Sequence, residues 1–167
     1  MSHYDDVVIG PIHPELLQYA TADIADEEGF RDTPYYDSEG YPTVGYGQRL
    51  GPRHTPLEFY QFSLPQDAAR QWLRSHVINI SAKLAVHPAI APAFAKCNLE
   101  RQVVLVSMAY QMGIEGLAGF KNMLNAITAA QWAEAASHAL DSLWARQTPA
   151  RAQRHAEMLK RGLYGVR

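Results

Sequence analysis

What most constrains this chain is a change of periodicity early in its length. In PELLQYATADIADEE, from Pro14 to Glu28, apolar side chains fall at Leu16, Leu17, Ala20 and Ile24, with Pro early and Gly29 as a stop. That three-to-four residue step predicts an amphipathic helix ending near Glu28. The next stretch, FRDTPYYDSEGYPTVGYGQRLG, instead alternates aromatic and β-branched residues with Gly and Pro, and Asp37-Ser38-Glu39-Gly40 reads as a turn between extended runs. A small antiparallel sheet is expected there. Beyond a Pro-containing loop the helical step returns. Ser63-Leu64-Pro65-Gln66 resembles a capping box, and Ala69, Trp72, Leu73, Val77, Ile80 and Leu84 continue it as one long helix. Further helices are predicted from Leu99 to Met112, Lys121 to Thr128, Gln131 to Trp144 and Pro149 to Arg161, separated by Gly-rich or Pro-containing joints.

One early sheet followed by helix after helix implies an α+β fold with a small mixed lobe and a helical bundle. We expect a single unit over 1–167: a small lobe over about 20–62 with its sheet at 33–50, a connecting helix over about 64–85, and a helical lobe over about 86–167 that also takes in the first helix. A cleft should lie between the lobes. With 167 residues, 47% of them hydrophobic, the chain can bury such a core without covalent or metal support. Cys97 is the single cysteine and no CxxC or His–Cys cluster exists, so neither a disulfide framework nor a structural zinc site is supported, and Cys97 reads as a buried or half-buried thiol.

Fifteen basic against seventeen acidic side chains give a formal charge of -2, which is no footprint for nucleic-acid binding or for stable membrane association. No run of roughly 18 apolar residues occurs, and the N-terminus carries acids where an export signal would be positive. The expectation is synthesis in the cytoplasm without a signal peptide. The seven histidines show no HExxH or related spacing, which disfavours a zinc amidase or peptidase.

Three polar residues invite a chemical reading. Glu28 ends the first helix on a face shared with core residues, where the helix dipole and partial burial both disfavour a charged side chain. Asp37 precedes the turn, and Thr43 sits on the next strand. Singly they read as a solvated helix end, a turn residue bonding local amides and a β-branched strand residue. Together they offer what glycoside hydrolysis needs, one acid to protonate the leaving oxygen and one carboxylate to support the sugar cation or its water.

Here the chain resembles the T-even phage lysozymes, glycoside hydrolase family 24 of the lysozyme-like superfamily. Glu28-Gly29, then Tyr36-Asp37-Ser38-Glu39-Gly40-Tyr41, then Thr43-Val44-Gly45-Tyr46-Gly47 match that family's glutamate, aspartate and threonine in identity and spacing. The likeness returns at Ala109-Tyr110-Gln111-Met112-Gly113, at Gly116-Leu117-Ala118-Gly119-Phe120 and at Trp144 through Ala152, and covers roughly Ala20 to the C-terminus. The lead segment from Met1 to about Tyr19 has little counterpart in the family pattern. Gln48 replaces a structural histidine of the family, so one ion pair should be missing, and a shorter stretch between Gln48 and Ser63 should trim a helix from the small lobe.

The resemblance implies a muramidase that hydrolyses the β-1,4 bond between N-acetylmuramic acid and N-acetylglucosamine in bacterial peptidoglycan. Glu28 would be the general acid, Asp37 the base or electrostatic partner, and Thr43 would stand beside the attacking water. Inversion at the anomeric carbon is implied, which needs carboxyl groups roughly 6.5–9.5 Å apart. Arg151 matches the arginine that approaches the catalytic glutamate, either orienting it or serving as a structural salt bridge. Tyr110 and Gln111 match cleft-lining positions, with core packing the alternative for Tyr110. Trp132 and Trp144 lie on apolar stripes and read as core residues. No cofactor or metal is implied. A monomeric endolysin is expected, released by a separate holin to act in the periplasm. The rivals are a lytic transglycosylase giving 1,6-anhydro products and a catalytically silent wall-binding or virion module.

Overall fold

The computed structural model of the chain describes residues 12–163. Helix α1 spans Pro14–Glu28, capped by the His13 ring accepting from the Glu15 amide and closed by Gly29 at φ 66°. It buries Leu16, Ala20, Ile24 and Ala25, and with them two polar residues, Thr21 and Asp23. Three strands follow, β1 at Arg31–Tyr36, β2 at Pro42–Gly45 and β3 at Gln48–Arg49, forming an antiparallel sheet in the order β1-β2-β3. Tyr35 pairs with Thr43, and Thr43 with Arg49. The chain can double back between β2 and β3 because Gly45 and Gly47 take positive φ, a region that side chains with a Cβ rarely enter.

Long helix α2 runs Gln66–Val86. The expected capping box does not form. Its N-cap is Pro65 and no side chain caps the helix, because Ser63 lies two residues upstream of that position. Between sheet and helix, the described residues hold a single 3-10 turn at Leu57–Phe59. The helical lobe comprises α3 at Ala91–Lys96, α4 at Leu99–Met112, α5 at Ile114–Ala118, α6 at Lys121–Thr128, α7 at Trp132–Leu140, α8 at Leu143–Gln147 and α9 at Pro149–Arg161. The single helix expected from Gln131 to Trp144 is therefore two. Ser142 breaks it, its hydroxyl donating to the Ala139 carbonyl at 2.7 Å while accepting from the Ala145 amide at 3.1 Å, so it closes one helix and caps the next. Helices α3 and α5, too short to show a period, were not anticipated.

Helix α4 is the hub. Every residue from Val103 to Ala109 is buried, with α1, α2, α5 and α9 packed around it. Ile24 is fully enclosed between α1 and this hub, and its truncation to Ala would cost about 2–4 kcal/mol. Cys97 is buried, and burial pushes its thiol up to about 12. Trp144 is also buried, whereas Trp132 is partly exposed with the Arg101 guanidinium 3.7 Å over its ring. No helix among the described residues is long and apolar enough to cross a membrane.

Candidate active site

An open cleft of about 1560 Å³ lies between the sheet and the helical lobe, well above the roughly 300–1,000 Å³ usual for small-molecule sites. Glu28, Asp37, Thr43, Tyr110, Gln111 and Arg151 all line it. They come from α1, the turn after β1, β2, α4 and α9, so the folded chain alone brings them together.

Glu28 is the last residue of α1, with about a quarter of its side chain exposed. Its Oε1 accepts from Arg151 Nη1 at 3.0 Å. Its Oε2 faces the backbone of Gly47, where a Cβ would stand 2.8 Å away, so a glycine is required both for space and for its φ of 76°. Arg151 is itself buried, and its Nη2 donates to the Ser107 carbonyl at 3.2 Å and to the Ser107 hydroxyl at 2.9 Å. A guanidinium fixed on three acceptors holds the carboxylate in one orientation.

Asp37 is held from two sides. Its Oδ1 accepts from the Glu39 and Tyr41 amides, both at 2.9 Å, an Asx arrangement made by the turn. Its Oδ2 lies 3.5 Å from Arg49 Nε, and that guanidinium also pairs with Glu39 at 2.7 Å and sits 3.8 Å over the Tyr41 ring. With Arg49 half exposed the pair adds little stability, but it leaves one carboxylate oxygen oriented and chemically available. Thr43 is buried apart from its cleft edge, and its hydroxyl donates to the Tyr41 carbonyl at 2.8 Å, so only acceptor capacity remains toward the cleft.

Tyr110 donates its hydroxyl to the Tyr46 carbonyl at 2.5 Å, tying α4 to the loop after β2, and its ring also lines the cleft. Burial, with a further push from Glu28, raises its phenol well above the ordinary range. Gln111 Oε1 accepts from the Trp144 indole at 2.7 Å, which turns its amide nitrogen into the donor end for a ligand. Trp144, expected only as core, thus also lines the cleft. Gln48 is buried and bonds on both sides as a neutral side chain: its Oε1 accepts from the Tyr46 amide at 2.6 Å and its Nε2 donates to the Ala69 carbonyl at 3.4 Å.

Sequence reasoning missed what lies behind the site. Asp23 Oδ2 is 2.9 Å from His155 Nε2, with both residues buried. The His155 ring stacks on Trp144 at 6.3 Å and 11°. A signal existed in each case, a titratable residue at a core register: Asp23 beside Ala20 and Ile24, and His155 beside Ala152, Ala156 and Leu159. Asp23, Glu27 and His155 bring ligand-type atoms within 4.8 Å of one another, but the Arg154 guanidinium pairs with Glu27 and supplies the positive charge there.

The sequence pattern of the phage lysozymes matches residues 25–161. The chain belongs to the phage lysozyme family. It is 30% identical to the pre-baseplate central spike protein Gp5 of Enterobacteria phage T4, over 96% of this chain and 33% of that protein, so it spans about a third of the spike's length. That match takes in most of the lead segment, which has no counterpart in the family pattern. The chain is also 25% identical to probable T4-type lysozyme 1 of Dictyostelium discoideum over 81% of its own length and 90% of the relative's. With probable T4-type lysozyme 2 of the same organism the identity is 37% over 44% of this chain. Its α+β architecture, with one small sheet ahead of a helical lobe, is the lysozyme-like one that membership implies.

Proposed function

We propose that this phage-lysozyme-family chain is a muramidase that hydrolyses the β-1,4 bond between N-acetylmuramic acid and N-acetylglucosamine in bacterial peptidoglycan. The observation that carries the reading is a pair of separately anchored carboxyl groups, Glu28 and Asp37, lining one long cleft. Glu28 gives its proton to the leaving glycosidic oxygen as the bond to the anomeric carbon breaks. A water attacks that carbon from the opposite face, and its proton passes to Asp37, which inverts the configuration. Thr43 accepts a hydrogen from the same water, because its own hydrogen is committed to Tyr41, and so helps aim the water's lone pair at the sugar. Gln111 and the Tyr110 ring contact N-acetyl groups and sugar faces. Retention of both Asp37 and Thr43 speaks against the transglycosylase reading, which needs only one carboxylic acid.

The test compares the wild-type protein with Glu28→Gln on purified sacculi, with mass spectrometry of the products. Reducing ends released by the wild type, and at least a 10³-fold loss in the variant, are expected from removal of an essential general acid. Equal turbidity loss by both proteins would remove Glu28 from catalysis, and 1,6-anhydromuramyl ends would assign the reaction to a transglycosylase. For delivery, release by a separate holin as a monomeric endolysin is one reading. The likeness to a spike protein favours a second, in which the same chemistry is carried by the virion, and immunoblots of purified particles separate the two.

A further inference from the structure

The turn that carries Asp37 is gripped from outside by the segment that follows β2. Its internal shape comes from the Asx bonds of Glu39 and Tyr41, but Ser38 and Glu39 are exposed, and a surface turn of this kind has little of its own to hold it against the sheet. Arg49 supplies that hold. Strand pairing sets Tyr35, Thr43 and Arg49 abreast on one face of the sheet, and all three line the cleft. From this row the Arg49 side chain reaches over the turn, its guanidinium 3.8 Å above the Tyr41 ring, 2.7 Å from Glu39 Oε2 and 3.5 Å from Asp37 Oδ2. Two carboxylates face one guanidinium unequally. Glu39 takes the short charge-assisted bond, while Asp37 stands too far off for a good hydrogen bond, so its outer oxygen is steered without being occupied.

Two further residues close the same grip. Arg53 Nε donates to the Glu39 carbonyl, and the His54 amide donates to the Gly40 carbonyl at 2.8 Å. His54 does so at φ 63°, in the left-handed region that a residue with a Cβ seldom enters, and its ring lies against Gly40, where an added Cβ would stand 2.7 Å from His54 Cε1. Such a backbone persists only where the surrounding contacts over-determine it. Arg49, Arg53 and His54 therefore converge on one short turn, and that turn holds a carboxylate of the cleft.

We infer that Arg49 is a positioning residue, the strap by which the 49–54 segment fixes the Asp37 turn at the cleft edge and aims its outer carboxylate oxygen at the attacking water. This role rests on the reading of Asp37 as the carboxylate that serves that water. Misplacing a reacting group by about 1 Å can cost up to about 10²-fold in rate, whereas a half-exposed ion pair contributes little to stability. Loss of Arg49 should then show in turnover and not in folding.

Arg49→Met keeps a stem of similar length over Tyr41 and removes the charge. On soluble peptidoglycan strands its kcat should fall about tenfold with KM within about twofold of the wild type, and its Tm should shift by no more than about 3 °C. Exchange of the Tyr41 amide hydrogen, which is bonded to Asp37, should quicken about tenfold as the turn loosens. Glu39→Gln should lower kcat in the same sense, and the double variant should be no slower than Arg49→Met, because the two side chains act as one strap. A raised KM with unchanged kcat would make Arg49 a substrate contact and overturn the inference, as would wild-type turnover, an unchanged Tyr41 exchange rate, or losses that multiply in the double variant. If Arg49→Met does not fold, Glu39→Gln carries the same kinetic and exchange measurements. Asp37→Asn keeps the two readings apart. If it is impaired while Arg49→Met behaves as wild type, only the role of Arg49 is lost, whereas full activity of Asp37→Asn removes Asp37 from the reaction.

Discussion

Arg151 on the last helix places Nη1 3.0 Å from Oε1 of Glu28 on the first, across 123 residues of chain. The acid therefore takes its orientation from a helix formed at the far end of the sequence. Unfolding of α9 would release it.

Arg151→Ala should lose more than stability. It leaves Glu28 without its partner and strips a donor from Ser107, so a loss of about 2–3 kcal/mol in unfolding free energy is expected, below the full penalty for a buried pair because Glu28 is partly solvated. Arg151→Lys should recover little activity, since one ammonium cannot hold the carboxylate and both Ser107 acceptors in the planar guanidinium geometry. Chemical denaturation and sacculus clearance measure the two effects, and full activity in Arg151→Lys would count against a planar clamp.

Gly47 supports the same carboxylate from the other side. Gly47→Ala puts a Cβ about 2.8 Å from Glu28 Oε2 and demands a left-handed backbone at φ 76°. The expected result is a loss of about 1–2 kcal/mol in stability together with a fall in kcat of at least tenfold, because the displaced group is the acid. Unchanged turnover, read from initial rates at saturating substrate, would mean that the carboxylate tolerates displacement.

Acid should weaken the fold through His155. Burial, opposed by Asp23, sets its folded-state value below the ordinary 6.5, so below about pH 6.5 the unfolded chain binds a proton that the folded chain refuses. Stability is complete above that pH and falls as pH drops toward the folded value, by at most about 1.4 kcal/mol per pH unit. Asp23, lowered from 3.8, adds its own loss only below about pH 4. His155→Gln keeps a donor for Asp23 but cannot take up the proton, so its Tm should decline less between pH 7.5 and 5 than that of the wild type. Half-buried His76, also lowered by burial, titrates alike in both proteins. Parallel Tm curves would rule out His155 as the acid-sensitive group.

Much of the local order could be read from spacing. The helices Pro14–Glu28, Leu99–Met112, Lys121–Thr128 and Pro149–Arg161 lie where the helical step put them, because each must bury one stripe of apolar side chains. The turn at Asp37 and the sheet around it followed from glycines and alternating residues, since backbone freedom and strand pleat are local properties. Helices α3 and α5 were not legible, being too short to show a period. Nor was the break at Ser142, where one hydroxyl bonding both ways outweighs a continuous apolar pattern.

What spacing decided, then, was which residues lie at a helix end, on a turn or on a buried stripe, because those depend on neighbours a few positions away. Only the tertiary structure decided which charge meets which. Asp23 and His155 stand 132 residues apart in sequence yet 2.9 Å apart in space, and Arg151 joins Glu28 to Ser107. Buried charges cannot remain without partners, and packing α1, α4 and α9 together selected those partners from distant parts of the chain.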